Sequence, residues 1–243
     1  MRKSIGAIIL FMALFTTTMG HAQTDGLGTW NVANLRVDVN KKWAAWTELQ
    51  TRSYKIYHDF YYHEVKGGFQ YTLNGTAAGL MGVGQYATYT PGGDFKSPVT
   101  THEFRLWEQV MLTNNIDRLK IEHRFRVEQR WLTAGYRNRY RYRLSAVVPL
   151  NHKKVQAKTV FVNVFNEIFL TNTAPYFERN RLYLGAGYQF TPSFTLQFGF
   201  LNQFDYRANG SKFSKNYFQT NLFFTLHLKK DEPRREQHPG AVD

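Results

Sequence analysis

Residues 119–131 read LKIEHRFRVEQRW, and their order decides how the rest of the chain is understood. Leu119, Ile121, His123, Phe125, Val127, Gln129 and Trp131 alternate with Lys120, Glu122, Arg124, Arg126, Glu128 and Arg130. A β-strand turns successive side chains to opposite faces, so this segment has one apolar, aromatic face and one densely charged face. Residues 136–148 repeat the pattern. Tyr136, Tyr140, Tyr142, Leu144, Ala146 and Val148 are set against Arg137, Arg139, Arg141, Arg143 and Ser145.

The same period of two runs outward in both directions. It predicts strands near 29–39, 43–52, 59–73, 77–90, 101–113, 117–131, 136–148, 157–170, 179–190, 194–206 and 216–228, eleven segments in all. No helical period lasts more than a turn or two. Asn40-Lys41-Lys42, Leu73-Asn74-Gly75, Asn114-Asn115-Ile116, Asn151 to Lys154 and Thr191-Pro192-Ser193 read as tight turns. Ser53 to His58, Pro91 to Val99, Thr171 to Phe177 and Arg207 to Lys215 read as longer loops. Short turns at one end and long loops at the other fit an outer-membrane barrel with its short ends in the periplasm.

Energy decides which face meets which medium. An Arg or Lys on the lipid face at mid-membrane costs about 2–4 kcal/mol, so the charged faces of 120–130 and 137–143 are expected to look into a lumen. A soluble sandwich would reverse that arrangement, but the segments exceed the usual soluble strand of about five or six residues. Aromatics near the strand ends (Trp30, Trp43, Tyr89, Trp131, Tyr136, Tyr206, Tyr217) are expected to form interfacial girdles. The fold expected is therefore all-β: one closed antiparallel transmembrane β-barrel of 10–12 strands. Single-chain bacterial barrels have even strand counts, and eleven segments strain that rule. Either the Trp30 segment lies outside the closed wall or a twelfth strand is hidden.

Composition agrees with this class. The chain has 243 residues, 16% of them aromatic, with 31 Lys plus Arg against 18 Asp plus Glu. It has no run of about 20 apolar residues that could span a bilayer as a helix. Its net charge of +13 suits an anionic partner. With no cysteine it has no disulfide framework, thiolate metal site or thiol nucleophile. Residues 1–22 read as a signal peptide: Arg2 and Lys3, an apolar stretch from Ile5 to Phe15, then Gly20-His21-Ala22 as the cleavage site. Export argues against nucleic acid as the partner. Residues 23–228 are then the barrel domain, and 229–243 a polar, disordered tail.

Strand parity places fourteen basic side chains in the lumen: Arg36, Arg52, Lys66, Arg105, Lys120, Arg124, Arg126, Arg130, Arg137, Arg139, Arg141, Arg143, Arg179 and Arg181. Eight carboxylates join them: Asp38, Glu48, Glu64, Glu103, Glu122, Glu128, Glu167 and Asp205. Arg105, Arg124, Arg126, Arg130, Arg137, Arg139, Arg141, Arg143 and Arg181 are the candidates for contacting an anion. Glu48, Glu103, Glu122, Glu128 and Glu167 are the candidates for salt bridges that neutralise them. Both outcomes stay open, because about eight strands make a filled barrel and 16–18 a wide channel.

Several fragments carry a resemblance. Trp46 to Arg52, Glu103 to Gln109, Arg124 to Arg130, Tyr140 to Leu144, Asn166-Glu167 and Asn180 to Tyr183 stand in an order that resembles the domain-of-unknown-function family numbered 2490. The resemblance covers nearly all of the mature chain and implies an outer-membrane barrel of a kind common in Bacteroidetes. It lends no activity. More loosely, Arg137 to Arg143 is similar to the arginine tracks of oligogalacturonate-specific porins, which implies passage of acidic oligosaccharides. Glu122, Glu128 and Glu167 interrupt the basic surface here.

Enzyme chemistry finds little support. Ser145 is the main inward serine, G-x-S-x-G is absent, and His102 and His123 fall on the lipid-facing parity. His58 and His63, beside Asp59 and Glu64, are the one possible surface site, and a general base needs a positioned partner. H-E-x-x-H is absent and the histidines have no zinc spacing. Glu122 and Glu128 lie about 20 Å apart along one strand, too far for glycosidase work. Gly79, Gly82 and Gly84 sit within a strand, where they permit close packing rather than cradle phosphate. No catalytic residue, metal or cofactor is expected. Three functions remain: a structural or accessory outer-membrane barrel contacting lipid, a narrow channel for small anions or acidic oligosaccharides, and a secreted soluble β-protein binding an acidic ligand.

Overall fold

The structure is a computed structural model that describes residues 24–228; the expected signal peptide and polar tail lie outside the described residues. Eleven strands follow one another: β1 (Thr24–Asp38), β2 (Trp43–Lys55), β3 (His58–Thr72), β4 (Ala77–Tyr89), β5 (Val99–Ile116), β6 (Leu119–Leu132), β7 (Gly135–Pro149), β8 (Thr159–Thr171), β9 (Phe177–Thr191), β10 (Phe194–Tyr206) and β11 (Lys212–His227). Each pairs with its sequence neighbours, and β1 pairs with β11 to close a barrel.

Eleven strands fall within the expected 10–12, and the closing pair corrects only the expectation of an all-antiparallel wall with an even count. An up-and-down chain of eleven strands returns its last strand in the direction of its first. β1 and β11 are accordingly parallel, in continuous register from Leu27↔Asn216 to Asp38↔His227. The Trp30 segment belongs to the wall, and no twelfth strand is needed. β1 therefore begins at one rim, the N-terminal rim, and β11 ends at the other, the C-terminal rim.

The expected contrast between short and long ends is also corrected. At the N-terminal rim, residues 56–57 and 133–134 are tight two-residue connections, whereas 90–98 is long. At the C-terminal rim, 117–118 and 192–193 are tight, but 150–158 is as long as any loop opposite. Loop length does not distinguish the two ends.

Polarity is inverted relative to a soluble globule. Charged and amide side chains are buried inside, while Leu49, Phe69, Met81, Phe125, Leu184 and Phe200 are exposed outside. Phenylalanines on the outer face stack across strands, as in Phe194 on Phe224 and Phe198 on Phe218. Polar side chains also stand on the outer face, and they bond one another, as Asn166 does with Asn180 and Asn202 with Asn216. Glu108, near the middle of β5, accepts a hydrogen bond from Gln129 Nε2 at 3.1 Å, and His123 Nδ1 lies 2.9 Å from the Tyr142 hydroxyl. Trp43, Trp131 and Tyr136 are exposed near strand ends, as expected of girdles. Trp30 and Tyr217 are not: both are buried in the lumen, edge to face at 5.5 Å.

Candidate functional site: a charged, side-chain-filled lumen

Eleven strands spaced about 4.8 Å apart and tilted about 40° enclose a lumen roughly 22 Å across, backbone to backbone. Long side chains from strands that are not neighbours meet inside that span. Trp46 of β2 and Trp107 of β5 approach to 6.0 Å between ring centroids. The hydroxyls of Tyr61 on β3 and Tyr217 on β11 lie 2.6 Å apart. A second aromatic cluster joins Trp30, Phe165, Tyr183 and Tyr217 from four strands. The Trp107 ring lies flat over Gly82, its cross-strand partner, where a Cβ would come within 2.5 Å of the indole. Gly82 thus serves close packing, as its place in a strand suggested.

Charge fills the other side of the lumen. Arg124 faces Arg143 across the β6–β7 pair, Arg126 faces Arg141, and Arg130 faces Arg137. Like charges directly opposite destabilise a sheet, so carboxylates must intervene. Glu167 lies in the cross-strand row Arg124–Arg143–Glu167–Arg181. Its side chain is fully buried and accepts from Arg124 at 2.5 Å, Arg143 at 2.7 Å and Arg141 at 2.9 Å. Arg181 stands 4.0 Å away. Glu128, also fully buried, takes Arg141 at 2.6 Å, with Arg126 and Arg139 each at 3.5 Å. Two carboxylates therefore bind together arginines from β6, β7 and β9.

The remaining candidates also turn inward. Glu103 is held by two nitrogens of Arg105, Nε at 2.7 Å and Nη2 at 2.8 Å, and bridges to Arg130. Lys66 sits between Glu48 and Glu64, 2.7 Å from each. Glu122 is buried on β6 opposite Ser145. Arg137 is the most open of the arginines named as anion contacts, its side chain 32% exposed. His63 packs against Tyr89 and Phe95 on the outside while Glu64 points inward, so these two do not share a face, and His58 Nδ1 lies 3.7 Å from Asp94 in the rim loops.

Two interior residues escaped the parity argument. Glu178 precedes the expected start of its strand, and alternation from Arg179 would turn it outward. A bulge in the β8–β9 pair pairs Phe169 with Arg179 and Leu170 with Phe177, leaving Glu178 as the extra residue. Bulges re-aim side chains. Glu178 accordingly accepts from Arg139 at 2.5 and 2.9 Å and from Arg137 at 3.1 Å. Lys215 also lies before its expected strand. It is fully buried and donates to the carbonyls of Tyr54 at 2.7 Å and Gly26 at 3.4 Å, tying β11 to β1 and β2.

Open space lies at the two ends. A cavity of about 510 Å³ at the C-terminal rim is lined by Lys41, Lys42, Lys120 and Lys154 and by no carboxylate. A second cavity, of about 310 Å³, lies at the N-terminal rim and shares no lining residue with the first. Nine arginines and three carboxylates line it. The packed middle stands between them.

Fold and interior together define a closed β-barrel with an apolar exterior and a polar lumen. The family model described as "Protein of unknown function (DUF2490)" matches residues 27–214, and the chain belongs to that family. No curated protein and no solved structure matches the chain.

Proposed function

We propose that the protein is an outer-membrane β-barrel of structural or accessory role whose lumen is plugged at mid-height. Residues 1–22 serve in this reading as its export signal. The observation that carries it is the inversion of polarity: apolar side chains exposed around the wall, Arg–Glu clusters and amides inside. Soluble proteins rarely expose contiguous apolar patches beyond a few hundred Å², which argues against the soluble acidic-ligand protein. Wall height fits as well. The shortest strands have 13 residues, which at a tilt of about 40° rise roughly 33 Å. The apolar band of such barrels is about 25 Å tall, so room remains for girdles at both rims.

A narrow anion-preferring passage is the second reading. The arginine-lined mouth favours it, and Glu128, Glu167 and Arg143, each with no exposed surface, oppose it at mid-lumen. Two measurements test the proposal. Outer-membrane extracts are expected to contain a band whose gel mobility changes on heating. Purified protein in a planar bilayer is expected to give no steady conductance, while Arg141→Ala/Arg143→Ala/Glu167→Ala, which removes three side chains from the plug, gives discrete steps. Steady, chloride-selective conductance by the unaltered protein would replace the first reading with the second. Recovery only as a soluble protein without heat-modifiable mobility would refute both.

A further inference from the structure

The vestibule at the N-terminal rim has more positive charge than it needs to hold itself together. Its three carboxylates are each already engaged. Glu103 is shared by Arg105 and Arg130, Glu178 by Arg130, Arg137 and Arg139, and Asp205 is held by Arg179. Nine guanidiniums line the same 310 Å³ cavity. Glu64, Glu128 and Glu167 engage Arg52, Arg139, Arg141 and Arg181 from behind the lining. Even when these are added to the three lining carboxylates, an excess of three positive charges is left. A concave mouth with low-dielectric walls focuses such a field. The floor is fixed rather than fluid: Arg52 stacks on Trp30 at 3.5 Å and on Tyr62 at 4.0 Å, and Arg181 lies over Trp30 at 4.7 Å.

We propose that this vestibule is a binding site for a small, multiply charged phosphate-bearing anion. Guanidinium forks match phosphate oxygens two at a time, and a diphosphate concentrates its charge as the site does. The cavity holds roughly ten water volumes, enough for a diphosphate and too little for a folded macromolecule. Arg137 and Arg207 stand at the open edge, where an entering anion meets them first. Arg137 keeps only one shared carboxylate, Glu178, and Arg207 is exposed beside Phe213. The opposite rim offers lysines, point charges without the fork, and is the internal control. The inference needs only the barrel and goes beyond the structural reading.

The test is calorimetric titration of the full-length protein in detergent micelles with sodium pyrophosphate. Saturable binding is expected, weakening as salt is raised. Arg137→Gln/Arg207→Gln should weaken it at least tenfold, whereas Lys41→Gln/Lys42→Gln at the far rim should leave it unchanged. Heat-modifiable mobility confirms that each variant is folded. A parallel titration with dihexanoylphosphatidic acid separates the two sources of the phosphate. Saturation by pyrophosphate alone assigns the site to free phosphates, and saturation by both assigns it to a phosphorylated headgroup entering from the rim. If folded protein binds neither probe, or binds pyrophosphate equally well without Arg137 and Arg207, the inference is overturned while the barrel reading stands.

Discussion

Glu167→Gln keeps the shape of the side chain and removes its charge, which makes it the sharpest probe of how the lumen is held. Glu167 is fully buried, and four guanidiniums, those of Arg124, Arg141, Arg143 and Arg181, lie within 4.0 Å of its oxygens. An amide can accept at one oxygen only and offers two unwanted donors to a surround of donors. Removing one partner of a buried ion pair typically costs about 3–5 kcal/mol, because the other charge stays buried without it. That is a large fraction of the roughly 5–15 kcal/mol that stabilises a typical domain. The matched control is Glu108→Gln. The same chemical change on the outer face removes a charge whose hydrogen-bond partner is Gln129, and should be neutral or stabilising in lipid. Both variants would be refolded into lipid vesicles and titrated with urea, with tryptophan emission as the readout. Adding Arg143→Gln to Glu167→Gln should recover part of the loss, since neighbours in one network are not additive. If Glu167→Gln costs less than about 1 kcal/mol, or less than Glu108→Gln, the carboxylate does not hold the arginines together.

The other predictions concern wall, packing and seam. Val127→Arg places a guanidinium on the outer face and should cost about 2–4 kcal/mol in vesicles, more than Arg126→Val; a larger loss for Arg126→Val would reverse the face assignment. Gly82→Ala puts a Cβ 2.5 Å from the Trp107 ring and should cost about 1–3 kcal/mol through overpacking, lowering the unfolding midpoint and shifting tryptophan emission; unchanged stability and emission would mean that the indole does not lie there. Because the chain contains no cysteine, Leu27→Cys and Leu228→Cys can be labelled singly with an impermeant maleimide. The parallel seam puts these two positions at opposite rims, so only one should label from outside intact cells, and labelling of both from the same side would exclude an eleven-strand wall.

Much of this architecture can be read from the sequence because, on the proposed membrane reading, lipid separates the two faces of a barrel by cost. Around Phe125 and Val127 an outward Arg is expensive, so the alternation with Arg124, Arg126 and Glu128 is clean, and eleven segments follow from it. Where that pressure relaxes, the reading fails. Trp30 and Tyr217 are amphipathic and fit either a girdle or a polar lumen; sequence position near a strand end favoured the girdle, while Gln50 accepting from the Trp30 indole at 2.7 Å fixes the lumen. Glu178 is hidden by a bulge, which breaks the period of two where it matters, and nothing in FERN at 177–180 announces the extra residue. Pairing of the two ends is beyond periodicity altogether, since alternation gives strand count and facing but not the direction in which the first strand meets the last. The partner of each arginine is equally hidden: periodicity alone offers Arg139 either Glu128 or a more distant acid, and the register of β7, β8 and β9 brings Glu178 to it.

The interior charges also do something that an apolar filling could not. With apolar residues outside, an equally apolar lumen would leave the strands without a distinction between faces, and a one-residue slip would cost little. Here a slip of β7 by one residue would turn Arg139, Arg141 and Arg143 to the outer face while bringing Tyr140 and Tyr142 inside. At about 2–4 kcal/mol for each outward Arg, the slipped barrel loses roughly 6–12 kcal/mol in lipid, comparable with the whole stability of a domain. It also strips Glu128 and Glu167 of their β7 partners, which deepens the gap. The Arg–Glu network therefore fixes strand register as well as filling space. A filling network needs charges that pair, and Glu128 and Glu167 each gather four arginines within 4.0 Å, sharing Arg141 between them. Further arginines line the N-terminal mouth, where Arg137 and Arg207 contribute little to register because they stand at strand ends. Charge placed where it neither fills nor aligns the wall is charge available to a ligand.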